Sequence, residues 1–452
     1  MHSGSTHFPN KWGRSRGHIE APAWREREGG RFPGTPKVRR RKSGPLDGQA
    51  RLLLTVNGLF AAANALSGAF VNVYLWRAKH DFAVIGWFTL VHHLTMAITF
   101  WTAGKWVKEH NKMNCLRAGV AFAALFYLAV LSFGERSADY FALLGLIQGI
   151  SSGLFWLAFN VVYFEVTDPD NRDKFNGWAG LLGAGAGMIA PWISGFLIVR
   201  MTAATGYRLI FTISLVVFLI GVVFSFFLKK RKTAGHYDWL LTWRCLRRKD
   251  TAWRPVSLAL VAQGIREGVF GFIIALLVYV HTGNEMQLGN FSLITSAVSL
   301  IAFMITGRLL RPAFRRMAML IGAAVMVAVI APFFWKVNFY TLLLFGVGVS
   351  MFFPLYSIPM TSTVFDLIGS EAESVRRREE YIVMRELALN VGRLLGTAVF
   401  ILVVTFNQTP AAMNWLLLGI GSSPLVTWYF MRKVQVHFPG EKPGPKAAGA
   451  RA

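Results

Sequence analysis

Arginine and glutamate residues stand inside long apolar stretches of this 452-residue chain, where they could carry a proton or bind a charged solute. Arg266 and Glu267 are neighbours in one stretch. The same dipeptide recurs as Arg385 and Glu386 in a later stretch, and Arg393 follows there. A charge at membrane depth costs about 2.5 to 3.5 kcal/mol on insertion scales, so each one needs a protein partner or water. Desolvation can bring a carboxyl group toward working pH, which makes Glu267 the first candidate for a proton carrier. Structural ion pairing is the alternative, and Arg393 could hold Glu267 charged or bind an anionic solute.

Polar and aromatic side chains stand at helical spacing in several of these stretches. Residues separated by four, seven or eleven positions lie on one face of a helix. Asparagines on such a face could line a solute path or hydrogen-bond to a neighbouring helix. Aromatic rings could form an amphipathic pocket or pack as ordinary core residues. The residues concerned are Asn57, Asn64 and Asn72 in the first stretch, Trp156 in the fourth, Tyr356 in the tenth, and Glu386, Asn390 and Arg393 in the eleventh.

The composition is typical of a membrane protein. Hydrophobic residues make up 54% and charged residues 16% of the chain, whereas an ordinary soluble domain has roughly 25% charged residues. The 48 Lys and Arg exceed the 23 Asp and Glu, and they concentrate in short connections and both tails, which favours orientation in a bilayer over nucleic-acid binding. Cys115 and Cys245 are far apart and lack metal-binding spacing. The sequence therefore predicts no nucleic-acid partner, no metal and no cofactor.

Twelve stretches are apolar enough to cross a bilayer as helices, which takes about 20 residues each. The predicted spans are Leu52–Trp76, Phe82–Ala103, Leu116–Phe133, Tyr140–Phe164, Gly177–Val199, Arg208–Leu228, Val256–Val280, Gln287–Thr306, Ala318–Trp335, Phe339–Phe365, Met384–Thr405 and Ala411–Met431. The basic residues concentrate on one side of these spans, so the positive-inside rule predicts that both termini are cytoplasmic.

The spans group into two predicted bundles joined by a basic linker. Each bundle contains six spans, and the tails on either side are rich in Gly, Pro or charge and are predicted to be disordered. The predicted domains are a basic cytoplasmic tail at 1–51, a six-helix bundle at 52–228, a cytoplasmic linker at 229–255, a second six-helix bundle at 256–431 and a cytoplasmic tail at 432–452.

An internal repeat relates the two bundles. IGWFTLV at residues 85–91 matches LGNFSLI at residues 288–294, an offset of 203. The same offset relates Asn64 to Glu267, Gly68 to Gly271, Gly104 to Gly307, Lys108 to Arg311, Lys112 to Arg315 and Gly119 to Gly322. A constant offset without gaps indicates two parallel six-helix repeats.

Two parallel six-span repeats joined by a basic loop resemble the major facilitator superfamily over residues 52–431. In that family the first and seventh spans line a central cavity, which would put Asn64 and Glu267 in its wall. The phrases NALSGAFVNVYLW, QGIREGVFGF and YIVMRELALNVGR resemble a branch of Bacillus transporters of the YqgE type. The glycines and proline from Gly183 to Gly195 resemble the family's antiporter motif, and close helix packing is the alternative explanation.

The family's loop motif between the second and third spans falls on GKWVKEHNKM, which begins at Gly104. Lys108 stands where the family has an aspartate, and Arg311 occupies the matching position of the repeat. In that fold the two loops meet the starts of the eleventh and fifth spans, which carry Glu380 and Asp173 here. The resemblance therefore implies a charge-inverted cytoplasmic gate made of exposed ion pairs, each worth about 0 to 1 kcal/mol. The alternative is that Lys108 and Arg311 only orient the chain.

The resemblance implies an all-α integral membrane transporter with twelve transmembrane helices in two six-helix bundles, and not an enzyme. We expect a monomeric secondary transporter in the bacterial cytoplasmic membrane that moves a small organic solute, is coupled to protons and works in the efflux direction. Uptake of a small polar solute is the alternative. The sequence has no phosphate-binding GxxxxGK[ST] loop, which argues against ATP-driven transport by this chain. A membrane sensor or scaffold is the alternative from another class, although no segment outside the spans is long enough for a signalling domain.

Overall fold

Long α-helices form nearly all of the described part of the chain. The computed structural model describes residues 46–167, 172–229, 235–247, 251–369, 377–432 and 434, so most of both predicted tails lies outside it. The helices are α1 (Gly48–Lys79), α2 (Phe82–Glu109), α3 (Lys112–Phe133), α4 (Phe141–Val166), α5 (Arg172–Arg200), α6 (Ala203–Phe226), α7 (Leu241–Arg247), α8 (Trp253–Thr282), α9 (Glu285–Leu309), α10 (Arg315–Ala328), α11 (Phe339–Gly369), α12 (Arg378–Phe406), α13 (Pro410–Gly421) and α14 (Ser423–Met431). None of the described residues belongs to a β-strand.

Capping side chains determine where several of the helices begin. Asp47 Oδ1 accepts a hydrogen bond from Ala50 N at 2.6 Å, so α1 begins at Gly48, four residues before the predicted span. Asp81 and Asn284 accept equivalent bonds of 2.8 Å at the starts of α2 and α9. Each cap satisfies a backbone N–H that has no partner within its own helix.

Eleven spans of the described chain are long and apolar enough to cross a membrane, judged by length and composition. The predicted twelfth span, Ala411–Met431, is instead divided between α13 and α14, which are interrupted at Ser422. Pro424 lies in the first turn of α14. Because proline has no backbone N–H to continue the helical hydrogen bonds, it favours a break just before its position. Large apolar side chains such as Val223 and Leu402 are more than half exposed on the outside, where a bilayer would cover them.

Matched ion pairs accompany the internal repeat. Lys112 of α3 pairs with Glu165 of α4, and the related residue Arg315 of α10 pairs with Asp366 of α11. The Arg315 Nη1 to Asp366 Oδ2 distance is 2.9 Å. In each half the pair joins the third span to the fourth, so the relationship seen in the sequence extends to tertiary contacts.

The two halves meet along two helix pairs, α2 with α12 and α5 with α9. A Cβ atom at Gly86 would lie only 2.7 Å from Cγ1 of Ile401, and a Cβ atom at Gly195 only 2.5 Å from the carbonyl oxygen of Glu285. Glycine is therefore required for this separation of the helices. The part of the Gly183–Gly195 stretch nearest Gly195 thus packs against α9, as the packing explanation of that motif expects.

Candidate functional site

The backbones of α8 and α12 touch where they cross, because glycines face each other there. The segments are GIREG at residues 264–268 and GRLLG at residues 392–396, two small-residue motifs with the same spacing. A Cβ atom at Gly264 or Gly392 would collide with a carbonyl oxygen of the opposite helix. Small residues at this spacing allow helices to approach closely in a membrane. The charged side chains beside the glycines are therefore held in register. The matching Gly-x-x-x-Gly spacing of the two segments is the sequence signal that could have predicted this crossing.

Glu267 and Arg393 form an ion pair beside this crossing. Glu267 Oε2 accepts from Arg393 Nη2 at 2.8 Å and from Nε at 3.2 Å. Glu267 Oε1 accepts from Gln263 Nε2 at 2.7 Å. The Glu267 side chain keeps 31% of its surface exposed, against 15% for Arg393, so the carboxylate remains open to the space beside it. An ionised carboxylate is stabilised by these charge-assisted bonds.

Further residues of α12 support Arg393 from behind. Glu386 Oε2 lies 3.7 Å from Arg393 Nη1 and also pairs with Arg385. Asn390 is fully buried, donates to the Glu386 carbonyl oxygen at 2.9 Å, and accepts from Arg393 Nη1 at 3.3 Å. Neither Glu386 nor Asn390 is among the residues that line the adjoining cavity. In the predicted stripe of α12, Glu386 and Asn390 therefore serve to orient Arg393.

Arg266 has a different environment from the other two arginines of the site. It is 9% exposed, and its Cζ atom lies 4.6 Å from the ring centroid of Phe270, one turn along α8. Among the described residues, its Nε has no hydrogen-bond partner and no acidic residue forms an ion pair with it. A cation over an aromatic face is only partly compensated for its lost hydration.

A central cavity of about 620 Å³ lies between the halves, and Arg266, Glu267 and Arg393 all contribute to its wall. The other lining residues come from α2, α4, α8, α9 and α11, and include His92, His93, Trp156, Phe270, Phe291 and Phe353. A largely apolar wall with a few convergent polar groups is characteristic of sites for small molecules. Groups of three or more His, Cys, Asp or Glu that could hold a metal are not found among the described residues.

Several predicted site residues lie elsewhere. Asn57, Asn64 and Asn72 of α1 are not among the cavity-lining residues, and Asn64 Nδ2 donates to the carbonyl oxygen of Phe60 in its own helix at 2.9 Å. Tyr356 is 2% exposed and does not line the cavity either. These four residues do not line this cavity, so a role for them in solute binding stays a prediction, beside the alternatives of hydrogen bonding within the bundle for the asparagines and ordinary packing for Tyr356.

At one end of the bundle, which we call the Lys108 end, the halves are joined by buried charges. Lys108 Nζ at the end of α2 lies 2.5 and 2.7 Å from the two carboxylate oxygens of Glu380 at the start of α12. Glu379 Oε2 is 3.9 Å from the same nitrogen. All three side chains are buried. The pair was expected to be exposed, and its burial makes loss of one partner far more costly.

The linker between the halves packs onto this end. Tyr237 is buried, and a Cβ atom at Gly104 would lie 2.5 Å from its hydroxyl oxygen. Burial and the nearby Glu380 and Asp238 carboxylates raise the pKa of Tyr237 above its usual range, so the hydroxyl stays neutral. Asp238 N donates to Glu380 Oε1 at 3.3 Å, while the Asp238 carboxylate pairs with Arg377 at 3.1 Å. We call Lys108, Glu379, Glu380, Tyr237 and Asp238 the Lys108-end network.

The ion pair between Arg311 and Asp173 that was predicted for the other half stays a prediction. The Asp173 side chain lies outside the described residues. Arg311 forms no ion pair with any described residue, whereas Arg315, four residues later, pairs with Asp366 in its own half.

At the opposite end, the Arg77 end, a second set of polar residues joins the halves. Arg77 Nη1 at the end of α1 donates to Glu285 Oε1 at the start of α9 at 2.8 Å. The hydroxyl of Tyr207 in α6 donates to the same oxygen at 3.1 Å. The sequence did not predict this Arg77-end network, because Arg77 lies at the end of an apolar span, where water can solvate a charge without a protein partner.

Comparison with known sequences identifies relatives of the chain. A sequence model of the Major Facilitator Superfamily matches residues 52–375. The "Uncharacterized protein YqgE" of Bacillus subtilis (strain 168) is 39% identical over 385 residues, which cover 85% of this chain and 89% of that protein. The resemblance inferred from the sequence motifs is thereby confirmed.

Solved structures of membrane transporters share the fold. A D-xylose–proton symporter superposes with a TM-score of 0.64 at 13% identity, over 86% of this chain and 98% of the symporter. A bacterial homologue of the iron transporter ferroportin, in its inward-facing state, gives 0.62 at 15% identity over 86% and 99%. At identities this low, the superpositions show only that the fold is shared. With the family match, the relative and the apolar helices together, the chain belongs to the Major Facilitator Superfamily and is a multi-pass membrane transporter of small molecules.

Proposed function

We propose that the chain is a proton-coupled secondary transporter that moves a small organic solute through the central cavity by alternating access. We assign it to the bacterial cytoplasmic membrane, as a monomer with both termini inside. The basic residues concentrate on one side of the predicted spans, which the positive-inside rule places in the cytoplasm, and the relatives of the chain are bacterial. The observation that carries the proposal is Glu267, the one carboxylate among the described residues that line the cavity.

The networks at the two ends of the bundle are candidate gates. Alternating access requires that the cavity open to one side at a time as one half rocks against the other. The Lys108-end network and the Arg77-end network each join the halves, and the cavity residues lie at intermediate positions along the helices. Breaking one network while the other stays intact would open a single side. In the orientation that we propose, the Lys108 end faces the cytoplasm.

Glu267 is the candidate for the coupling proton because its charge is balanced by a neighbour that also faces the cavity. Protonation would remove the charge that attracts Arg393 and would weaken the 2.8 Å bond between them. Arg393 would then be available to a solute or to Glu386, 3.7 Å away. Proton binding to Glu267 and solute binding would thus both act on Arg393. This is the linkage that a coupled transporter needs.

The direction of transport has two candidates. Efflux of an amphipathic compound is favoured by the sequence, and the aromatic wall around Trp156 and Phe270 supports it. Uptake is supported by the presence of two arginines, Arg266 and Arg393, in the same cavity wall as Glu267. A proton on this carboxylate raises the positive charge of the cavity, so a proton and an acidic solute would bind together and cross together.

The test is flux in proteoliposomes of known orientation, with a panel of acidic, neutral and basic organic solutes, with and without a proton gradient. We expect Glu267→Gln to abolish gradient-driven accumulation while solute exchange without a gradient continues. Asp366→Asn is the matched control, since it removes a carboxylate that pairs with Arg315 outside the cavity, and it should retain coupling. Accumulation in the Gln variant equal to wild type would exclude Glu267 as the coupling residue. A wild-type protein that moves no member of the panel under any gradient would contradict transport itself.

A further inference from the structure

Arg266 is a buried cation that faces the central cavity and forms no ion pair with an acidic residue of the described chain. Less than a tenth of the residue is exposed, its Nε has no hydrogen-bond partner among the described residues, and it lines the cavity wall. An unpaired charge in a poorly hydrated environment is costly, so its presence calls for a compensating group. The ring of Phe270 at 4.6 Å supplies only part of that compensation.

The charges around the cavity leave an excess of one positive charge. Glu267 is paired with Arg393, and Glu386 is paired with Arg385 behind it. Arg266 is the remaining cation of this cluster. A solute with a single negative charge would balance it, whereas a neutral solute would leave the cost in place and a cation would be repelled.

The rest of the wall would accommodate the organic part of such a solute. Trp156, Phe270, Phe291 and Phe353 supply aromatic surface around the cavity. The Nδ1 atoms of His92 and His93, which also line it, have no hydrogen-bond partner in the described chain. Aromatic surface beside a few unsatisfied polar atoms and one free guanidinium fits an amphipathic acid.

We propose that Arg266 binds the acidic group of an amphipathic organic monoanion, such as an aromatic carboxylate, whose ring lies against the aromatic wall of the central cavity. A guanidinium can give a carboxylate two parallel hydrogen bonds, which fixes the orientation of the bound molecule. The inference deepens the proposed transport function and rests on it only for the statement that the bound anion is carried across the membrane.

Binding to the purified protein in nanodiscs, measured by calorimetry at neutral pH, tests the charge preference. The probes are naphthoate, naphthamide and naphthylmethyl-trimethylammonium, which share one ring system and differ in charge. We expect wild-type protein to bind naphthoate at least about tenfold more tightly than naphthamide, the ratio that ~1.4 kcal/mol produces, and to bind the cation least. Arg266→Gln should lose this preference and Arg266→Lys should keep part of it.

Arg200→Gln is the matched control for the loss of one arginine. Arg200 Cζ lies 4.8 Å from the ring of Phe196, the same cation–aromatic arrangement as in Arg266 and Phe270, but Arg200 does not line the cavity. This variant should keep the full preference for naphthoate.

Thermal unfolding provides a second readout that does not depend on a ligand. Arg266→Gln removes a buried charge that has no ion-pair partner among the described residues, so its unfolding temperature should equal or exceed that of wild type. Arg393→Gln breaks the pair with Glu267 and should lower it. A lower unfolding temperature for both variants would assign Arg266 a structural role and overturn the inference.

The binding outcomes separate this inference from the proposed function. Equal binding of naphthoate and naphthamide by wild type, no binding of naphthoate at all, or an undiminished preference in Arg266→Gln would each overturn the anion site. Selective binding without flux would keep the site and contradict transport. Proton-driven flux of neutral or basic solutes without any charge preference would keep transport and contradict the site.

Discussion

Replacing Glu380 by glutamine removes one partner of a buried ion pair, and we expect it to open the Lys108 end of the cavity. Lys108 is 7% and Glu380 2% exposed, and the lysine nitrogen lies 2.5 and 2.7 Å from the two carboxylate oxygens. An exposed pair would contribute about 0 to 1 kcal/mol. Removing one partner of a buried pair costs about 3 to 5 kcal/mol, because the other charge stays buried.

The cost falls on the closed state alone. When the Lys108 end opens, Lys108 reaches water and no longer needs the carboxylate. Glu379 at 3.9 Å cannot replace two short bonds, although it offsets part of the loss. Taking about 3 kcal/mol as the net effect, the open-to-closed ratio should rise by roughly a hundredfold.

Reaction of a cysteine in the cavity with a membrane-impermeant maleimide, added from the Lys108 side, measures this ratio. Ser350 lines the cavity and is a suitable position for the cysteine, in a background in which Cys115 and Cys245 are replaced. The double variant Lys108→Met with Glu380→Leu removes both charges, and its labelling rate should return to within about tenfold of wild type, since a buried pair and an apolar pair of similar size are often equivalent.

Two results would refute this reasoning. One is a labelling rate in Glu380→Gln that rises less than about fivefold, the change that ~1 kcal/mol gives and an exposed pair could produce. The other is simple additivity of Lys108→Met and Glu380→Leu, each also measured alone, in the double variant, which would mean that the charges do not interact.

Three further predictions concern the helix crossing, the Arg77 end and the orientation. Gly392→Ala should lower the free energy of unfolding by about 1 to 3 kcal/mol in a thermal assay, because the added Cβ atom meets the backbone of α8. The control Gly419→Ala, whose Cβ atom would have no neighbour within 4 Å, should change the free energy little. Equal effects of the two variants would show that the crossing is not tight. Glu285→Gln should speed labelling of the cavity cysteine from the Arg77 side by about tenfold, less than at Glu380, because the Arg77 side chain is 37% exposed; no change would remove this pair as a gate. Native Cys245 should react only from the cytoplasm and a cysteine at position His281 only from outside, and the reverse pattern would invert the topology.

Hydrophobic length and the repeat were sufficient to predict most of the helices, because each span must be long and apolar regardless of its neighbours. The twelfth span differs since Pro424 interrupts it locally. The need of intramembrane charges for partners also suggested Arg393 beside Glu267, and the two side chains are in contact.

Other contacts depend on tertiary arrangement and left little trace in the sequence. Arg77 lies at a span edge, where water can solvate a charge, so nothing required a partner such as Glu285. Tyr237 lies in a linker without periodicity, and only the fold brings it to Gly104. The burial of Lys108 likewise follows from the meeting of α2, α12 and the linker, and a loop position in the sequence suggested exposure.

The backbone contact between α8 and α12 limits which events can separate Glu267 from Arg393. When one half of a transporter rocks against the other, distances between the halves change while distances inside a tightly packed half stay nearly constant. Both residues belong to the same half and flank the glycines at which its two helices touch. Rigid-body motion can therefore break the Lys108 and Arg77 pairs, which connect the halves, but it leaves Glu267 and Arg393 together. Only a change in local charge, from a proton or a competing anion, can part them, so mechanical opening and chemical sensing are performed by different residue pairs in this protein.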